Sequence, residues 1–139
     1  MIVVDASVAI KFVVAEPGSE EALAYVTSQE LLVAPDWMLV EAANALFNKV
    51  ETDALTRVQA RANFDALPDF FGHLYPTMDL LDEATRLSFD LRHAVYDCLY
   101  LALAMRERTA VVTADREFVK AAKRGGLEPH VALLRWEQP

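Results

Sequence analysis

The sequence is poor in cysteine, glycine and proline, and each scarcity excludes a class of protein. Its single cysteine, Cys98, excludes a disulfide-stapled secreted domain and a zinc site of the CxxC type. Only 4 glycines and 6 prolines occur among 139 residues, of which 54% are hydrophobic and 24% charged. A disordered or fibrous chain would be richer in glycine and proline and poorer in apolar side chains. We therefore expect one globular domain spanning residues 1–139.

Long apolar runs and a leader are also missing. No run reaches the roughly 18–20 residues that a membrane span requires. The first residues lack a basic region and reach a charge at Asp5, which is too early for a signal peptide. The sequence thus predicts a cytoplasmic protein without a membrane partner.

Positive charge is in deficit, with a formal net charge of −8 from 21 acids and 13 bases. This balance disfavours a protein that coats nucleic acid by electrostatic attraction alone, because such proteins are usually basic. It does not exclude an enzyme that reaches phosphates through metal ions, since the cations then supply the missing positive charge.

Short apolar strands alternate with helices along the chain. None of the strands alternates polar with apolar residues, which is typical of strands buried on both faces. This pattern predicts an α/β fold with a mostly parallel central sheet flanked by helices. We expect Asp36 to cap the third helix and Pro68 to end a helix that begins at Thr52. The expected strands are 2–4, 31–34, 73–75, 109–113 and 131–134, and the expected helices are 6–12, 20–28, 36–50, 52–67, 80–91, 94–105 and 116–124.

Asp5 and Asp115 each stand at or just past the end of a predicted strand. Open parallel sheets bind ligands outside the carboxyl ends of their strands, so both carboxylates are candidates for a functional site. Either residue could instead serve only as the N-cap of the helix that follows, and capping is the commoner role. The two roles are compatible at this edge of a sheet.

Asp97 is the only charged residue in an otherwise apolar stretch from Ala94 to Met105. A helix that is apolar on all sides is buried, and a buried carboxylate needs a cation, a metal or hydrogen bonds to compensate it. Its purpose could be structural, either satisfying free N–H groups in the first helical turn or pairing with Arg92 or His93.

Glu41 presents the same problem on another apolar helix. Together with Asn44 and Asn48 it forms a narrow polar stripe at positions i, i+3 and i+7. A solvent-facing stripe is one explanation, although such faces usually carry several lysines and glutamates. Glu41 and Asn44 therefore remain candidates for a functional site.

If these four carboxylates converge on one point, a single functional site explains the positions of all four. Crowded like charges are stable only with protons or divalent cations between them, and oxygen ligands favour Mg²⁺ or Mn²⁺ over zinc. Such a site suits the hydrolysis of phosphodiester bonds. The hydroxyls of Ser7 and Thr113 lie two residues from Asp5 and Asp115 and could support the carboxylates or a metal-bound water.

A basic stripe follows Asp115 on the next helix. Arg116, Lys120, Lys123 and Arg124 are spaced i, i+4, i+7 and i+8, so they share one face that could meet a phosphate backbone, with Arg116 and Lys120 the substrate-binding candidates. The same stripe could equally be a solvated face with cations near a helix C-terminus.

The sequence resembles the PIN-domain family, and within it the VapC-type toxins of toxin–antitoxin pairs. The resemblance covers essentially the whole chain. It rests on four blocks in the family's order, namely Val3-Val4-Asp5-Ala6-Ser7, Glu41-Ala42-Ala43-Asn44-Ala45-Leu46, Tyr96-Asp97-Cys98-Leu99-Tyr100-Leu101-Ala102-Leu103-Ala104 and Val112-Thr113-Ala114-Asp115-Arg116-Glu117-Phe118.

This resemblance implies a single PIN-like domain with Asp5, Glu41, Asp97 and Asp115 as its acidic centre. It further implies a Mg²⁺- or Mn²⁺-dependent endoribonuclease, a homodimer, and a VapB-type antitoxin whose tail blocks the site. In this interpretation Asp5 and Asp97 ligate the principal metal, and the other two acids complete the site or orient the attacking water.

Two other functions are compatible with parts of the sequence. A catalytically silent PIN-like module could bind RNA or a protein without cutting, but it would have no reason to retain a costly acidic cluster. Phosphoryl transfer to a carboxylate would call for adjacent acids or a DxD after the first strand, and Asp5-Ala6-Ser7 supplies one acid.

Overall fold

Strands and helices alternate through residues 1–137, the part of the chain that the structure, a computed structural model, describes. The strands are β1 (Ile2–Val4), β2 (Leu32–Pro35), β3 (His73–Tyr75), β4 (Val111–Thr113) and β5 (Val131–Leu133). The α-helices are α1 (Ala6–Val13), α2 (Ser19–Thr27), α3 (Trp37–Glu51), α4 (Arg57–Ala66), α5 (Leu81–Leu91), α6 (Val95–Arg106) and α7 (Arg116–Arg124). Short 3₁₀ helices cover Leu67–Phe70, Thr77–Asp79 and Glu128–His130.

The five strands form one parallel sheet in the order β3-β2-β1-β4-β5. Val3 is in register with Val33 of β2 on one side and with Val111 of β4 on the other. The chain first adds strands on the β2 side of β1 and then crosses to β4 on the opposite side. The order of the strands therefore reverses between β1 and β4, where open α/β sheets form a ligand crevice at their carboxyl edge.

Helices cover both faces of the sheet. The helices pack in two groups, α1 to α4 and α5 to α7. Because crossovers between parallel strands are right-handed, the strand order puts the first group on one face of the sheet and the second on the other. The central strands are fully buried at Val3, Val33 and Val111, as is most of α6. The predicted α/β fold with a parallel sheet flanked by helices is confirmed.

Two local predictions were wrong in detail. The helix expected from Thr52 begins only at Arg57, because the Thr56 side chain caps it by accepting from the N–H of Gln59. Asp36 precedes α3 but does not cap it. Its carboxylate accepts instead from the backbone N–H and the hydroxyl of Thr77, at 3.0 and 2.5 Å, and so ties the start of α3 to the segment after β3.

Within residues 1–137, no helix combines the length and the apolar character needed to cross a membrane.

Candidate active site

Asp5 and Asp115 follow the neighbouring strands β1 and β4 and lie at the point where the strand order reverses. Asp5 caps α1, with Oδ1 accepting from the N–H of Val8 at 3.2 Å. Asp115 caps α7, with Oδ1 accepting from the N–H groups of Glu117 at 2.9 Å and Phe118 at 3.4 Å. Both residues thus perform the structural role considered from the sequence. Capping nevertheless holds each carboxylate at the edge of the sheet where ligands bind.

Ser7 and Thr113 join these two strand ends. The Ser7 hydroxyl donates to Oδ1 of Asp5 at 2.5 Å and accepts from the N–H of Ala114 at 2.9 Å. The Thr113 hydroxyl accepts from the N–H of Asp115 at 3.1 Å and lies 3.4 Å from the Ser7 hydroxyl. The short network therefore holds the ends of β1 and β4 in a fixed relation.

Burial makes the Asp5 carboxylate costly to ionise. Asp5 is only 3% exposed, and the loss of water around it raises its pKa from 3.8 to about 7. Hydrogen bonds from Ser7 and Thr113 partly offset this rise, whereas the charge of Asp97 adds to it. A cation near Asp5 would favour the ionised form and lower the pKa again.

Asp97 occupies the first turn of α6 and pairs with His93. His93 Nε2 lies 2.5 Å from Oδ2 of Asp97, and the Asp97 side chain is 21% exposed. Burial raises the pKa of Asp97, the His93 contact lowers it, and the charge of Asp115 raises it. Of the structural explanations considered from the sequence, the structure shows the pairing with His93. Oδ1 of Asp97 has no hydrogen-bond partner among residues 1–137.

Glu41 is held from α6 by a buried tyrosine. The Tyr100 hydroxyl donates to Oε1 of Glu41 at 2.7 Å, and Tyr100 itself is 1% exposed. Burial raises the pKa of Glu41, the Tyr100 hydrogen bond lowers it, and the charge of Asp97 raises it. Glu41 is thus a half-buried acid that faces the same neighbourhood as Asp97.

The amides of the α3 stripe differ from Glu41 in their surroundings. Asn44 and Asn48 are exposed, as a solvent-facing stripe predicts, and with Glu41 they line a groove of about 470 Å³. The rings of Trp37 and Tyr96 stack at 5.7 Å between centroids on the wall of this groove. Asn44 therefore lies beside the acids without a hydrogen bond to them.

Asp97 is the common neighbour of the other acids. Its charge raises the pKa of both Asp5 and Glu41, and the charge of Asp115 raises the pKa of Asp97. Carboxylates that follow β1 and β4 and carboxylates from α3 and α6 thus form one electrostatic neighbourhood, which we call the acidic cluster (Asp5, Glu41, Asp97 and Asp115).

The acidic cluster fits a hard divalent cation in charge and in donor chemistry, since all its donors are carboxylate oxygens. It is not a closed ligand cage. Among residues 1–137, no three His, Cys, Asp or Glu side chains stand together in a group that could hold one metal ion. A bound cation would relieve the mutual repulsion of the carboxylates in the acidic cluster.

Sequence reasoning missed the function of Tyr100. It sits three residues after Asp97, on the same face of α6, and its hydroxyl is the only other polar group of that face to reach an acid of the cluster. Burial and the charges of Glu41 and Asp5 raise the pKa of Tyr100, so its hydroxyl remains protonated and acts as a donor. The sequence does not single it out, because α6 carries two tyrosines, Tyr96 and Tyr100, and only the fold brings one of them to Glu41.

The four basic residues of the α7 stripe differ in their contacts. Lys120 pairs with Glu117 at 3.2 Å, and Lys123 lies 3.5 Å from Glu128. Arg124 donates to the carbonyl of Leu91 at 3.4 Å, which ties α7 to the end of α5. Arg116 alone of the four has no hydrogen bond or ion pair within residues 1–137.

Comparison with known proteins gives one consistent result. The family model of the PIN domain matches residues 2–124. Ribonuclease VapC1 of Mycobacterium tuberculosis is 33% identical over 135 residues, which cover 96% of this chain and 97% of that protein. Ribonuclease VapC3 of Pyrobaculum aerophilum is 30% identical over 121 residues, which cover 86% of this chain and 92% of that protein.

Solved structures agree on the fold. The crystal structure of PAE2754 from Pyrobaculum aerophilum superposes with a TM-score of 0.71 at 21% identity, covering 94% of this chain and 81% of that one. The crystal structure of FitAcB from Neisseria gonorrhoeae superposes with a TM-score of 0.64 at 18% identity, covering 97% of each chain.

Proposed function

This chain belongs to the PIN domain family, and we propose on that basis that it is a Mg²⁺- or Mn²⁺-dependent endoribonuclease. The observation that carries the proposal is the acidic cluster, in which Asp97 raises the pKa of two other acids drawn from distant parts of the chain. A protein with no use for a cation would gain stability by losing such a cluster. The names of the two VapC relatives support RNA as the substrate.

Asp5 and Asp97 would hold the principal cation, with Glu41 and Asp115 completing the site. A divalent cation bound there would neutralise charge on the phosphate and make a water molecule more acidic. The chain's own groups prepare the acids for this: Ser7 and Thr113 hold Asp5, and Tyr100 orients Glu41. Asn44 would supply a neutral polar contact beside Glu41.

Contacts to the RNA backbone are assigned to Arg116 and Lys120. Arg116 lies one residue after Asp115 and is free to meet a phosphate. Lys120 pairs with Glu117 through one N–H of its ammonium group, and its remaining donors would reach a phosphate.

We infer further that the protein is the toxin of a VapBC-type pair, neutralised by a VapB-type antitoxin. The net charge of −8 suits a partner with a basic segment. Induced expression of the wild type should arrest growth, and co-expression of the antitoxin should relieve it. We also infer a homodimer, which light scattering would report as twice the chain mass of 15.5 kDa.

A cleavage assay tests the activity directly. Wild-type protein, Asp5→Asn and Asp97→Asn are incubated with single-stranded RNA in Mg²⁺, Mn²⁺ or EDTA. We expect each substitution to lower the cleavage rate by at least about 100-fold, because even partners that only orient metal ligands are worth 10–100-fold. EDTA should abolish cleavage by the wild type.

Asp90→Asn is the matched control, since Asp90 is an exposed acid on α5, outside the acidic cluster. It should cut RNA at the wild-type rate. Cleavage that survives chelation or either cluster substitution would overturn the proposal. RNA binding by the wild type without any cleavage would favour the catalytically silent module.

A further inference from the structure

A cleft of about 400 Å³ lies next to Asp115, between the start of α7 and the segment that follows β5. Residues 114–117 form one wall and residues 133–136 the other. We call it the α7–β5 cleft. It opens at the carboxyl edge of the sheet, with Asp115 of the acidic cluster in one wall, and the sequence did not indicate it.

Two arginines and two acids line the α7–β5 cleft. Arg116 and Arg135 lie on opposite walls, and neither makes a hydrogen bond or ion pair with any residue in 1–137. The acids that share the cleft are already engaged, because Glu117 pairs with Lys120 and Asp115 accepts from the backbone of α7. The cleft therefore offers two free guanidinium groups to an anion.

Arg116 stands at an electrostatically unfavourable position. It is the first residue of α7, where the helix dipole is positive and where acidic side chains are usual. By contrast, Lys123 and Arg124 occupy the last turn, where the dipole favours cations. An anion bound beside Arg116 would offset both the side-chain charge and the dipole.

The segment that carries Arg135 is anchored on both sides. Before it, the N–H of Leu134 donates to the carbonyl of Thr113 at 2.7 Å. After it, the Trp136 ring packs against Gly18 and lies 4.7 Å from Nζ of the buried Lys11. Arg135 is thus held on a fixed backbone opposite Arg116, which reduces the entropy that binding would otherwise lose.

We propose that the α7–β5 cleft binds a backbone phosphate of single-stranded RNA, next to the phosphate that the acidic cluster cleaves. This assignment rests on the proposed function. Guanidinium groups are suited to phosphate because their planar N–H groups match two oxygens at once. The volume also lies within the range of small-ligand sites, about 300–1,000 Å³, and a strand held in the cleft would pass beside Asp115 in its wall.

The salt dependence of RNA binding tests the cleft. Affinity of a short, labelled, mixed-sequence single-stranded RNA is measured by fluorescence anisotropy across a KCl series at a fixed low Mg²⁺ concentration. All proteins carry Asp97→Asn, so the RNA stays intact. Each phosphate contact to a single strand contributes about 0.7 to the slope of log affinity against log salt. We expect Arg116→Gln and Arg135→Gln each to lower the slope by about 0.7 and to weaken binding several-fold.

Arg86→Gln is the matched control, because Arg86 is an exposed arginine of α5 that pairs with Asp82 and Glu83. It should leave the slope unchanged. An unchanged slope in Arg135→Gln, or an equal loss in Arg86→Gln, overturns the cleft assignment.

Cleavage by the corresponding proteins with Asp97 intact is measured in parallel and separates the two proposals. If the wild type cuts RNA and Arg135→Gln leaves RNA binding unchanged, the cleft proposal alone is overturned. If the salt slope depends on the two arginines but the wild type cuts no RNA, the cleft remains an RNA-binding site and the proposed nuclease activity is overturned.

Discussion

The Asp5 carboxyl couples the stability of the protein to pH. Its pKa is about 7 in the folded chain and 3.8 as its ordinary value, so the folded state binds the proton more tightly between these limits. Stability from this group is therefore complete below pH 3.8 and declines as pH rises toward 7. The difference corresponds to about 4 kcal/mol, which the folded protein loses when Asp5 ionises without a compensating cation.

Asp5→Asn should remove this pH dependence. Asparagine keeps the cap of α1 and still accepts from Ser7, but it never ionises. In EDTA at pH 8 we expect the variant to be more stable than the wild type by about 2–4 kcal/mol, and we expect the gap to close near pH 4. Urea denaturation over this pH range measures it. A stability difference between the two proteins that does not grow from pH 4 to pH 8 would contradict the prediction.

Tyr100 positions Glu41 through its hydroxyl, so removing that hydroxyl should lower the affinity for a divalent cation. Tyr100→Phe keeps the buried ring and loses only the 2.7 Å hydrogen bond. We expect Mn²⁺ affinity, measured by isothermal titration calorimetry, to fall by about 10-fold, the range for groups that orient metal ligands.

Tyr25→Phe on α2 is the control and should bind Mn²⁺ like the wild type, since Tyr25 is a partly buried tyrosine outside the acidic cluster. A Tyr100→Phe protein with a lower melting temperature but unchanged Mn²⁺ affinity would show that the hydroxyl is only structural.

Residue patterns predicted which acids were unusual, and they did not predict the partners. Asp97 was recognisable because it is the only charge in an apolar helix. Its pairing with His93 was one of several options, since Arg92 lies only one residue further away in sequence. The bond between Tyr100 and Glu41 joins residues 59 positions apart, and a periodicity argument within one helix contains no information about it.

At the scale of elements, the segment after β5 depends on a glycine of the turn before α2. Gly18 has a φ of 89°, and a Cβ there would lie 2.8 Å from the Trp136 ring. Gly126 also has a positive φ, 74°, but a Cβ there would meet nothing within 4 Å. Both glycines thus adopt a backbone conformation that an L side chain disfavours, and they differ in what a Cβ would contact.

Gly18→Ala should therefore destabilise the protein more than Gly126→Ala does. The left-handed conformation costs an L-residue about 1–2 kcal/mol in both variants, and Gly18→Ala must displace the Trp136 ring as well. The difference between their unfolding free energies, measured in urea, reports how firmly the segment carrying Arg135 is anchored. Equal losses of unfolding free energy in the two variants would mean that the contact between Gly18 and Trp136 does not contribute to stability.

Element positions were predictable because the strands are short, apolar and β-branched between helices of clear periodicity. The error at Asp36 arises because a long-range contact replaces a local one. Asp36 has the residue type of a cap, yet Thr77 takes its carboxylate, and the two residues lie 41 positions apart. Local propensity describes the options of such a side chain, and tertiary packing selects among them.

At the scale of the whole molecule, folding concentrates negative charge. The acidic cluster draws its four residues from positions 5 to 115, in a chain whose net charge is already −8. Unfolding separates these acids and relieves their repulsion. Any cation that binds between them therefore binds the native state far better than the unfolded state, and its affinity becomes stability.

Divalent cations should consequently raise the unfolding temperature of the wild type. At a free concentration of Mn²⁺ 100-fold above its dissociation constant, we expect about 2.7 kcal/mol of stabilisation, or roughly 5–10 °C for a chain of this size. Asp97→Asn removes the common neighbour of the cluster and should show little of this shift, while Asp90→Asn should show all of it. KCl at equal ionic strength separates specific binding from screening, because screening acts on exposed charges in every variant alike. If Mn²⁺ raises the unfolding temperature of the wild type and of Asp97→Asn equally, the cation binds outside the acidic cluster, and the acidic cluster is not the metal site.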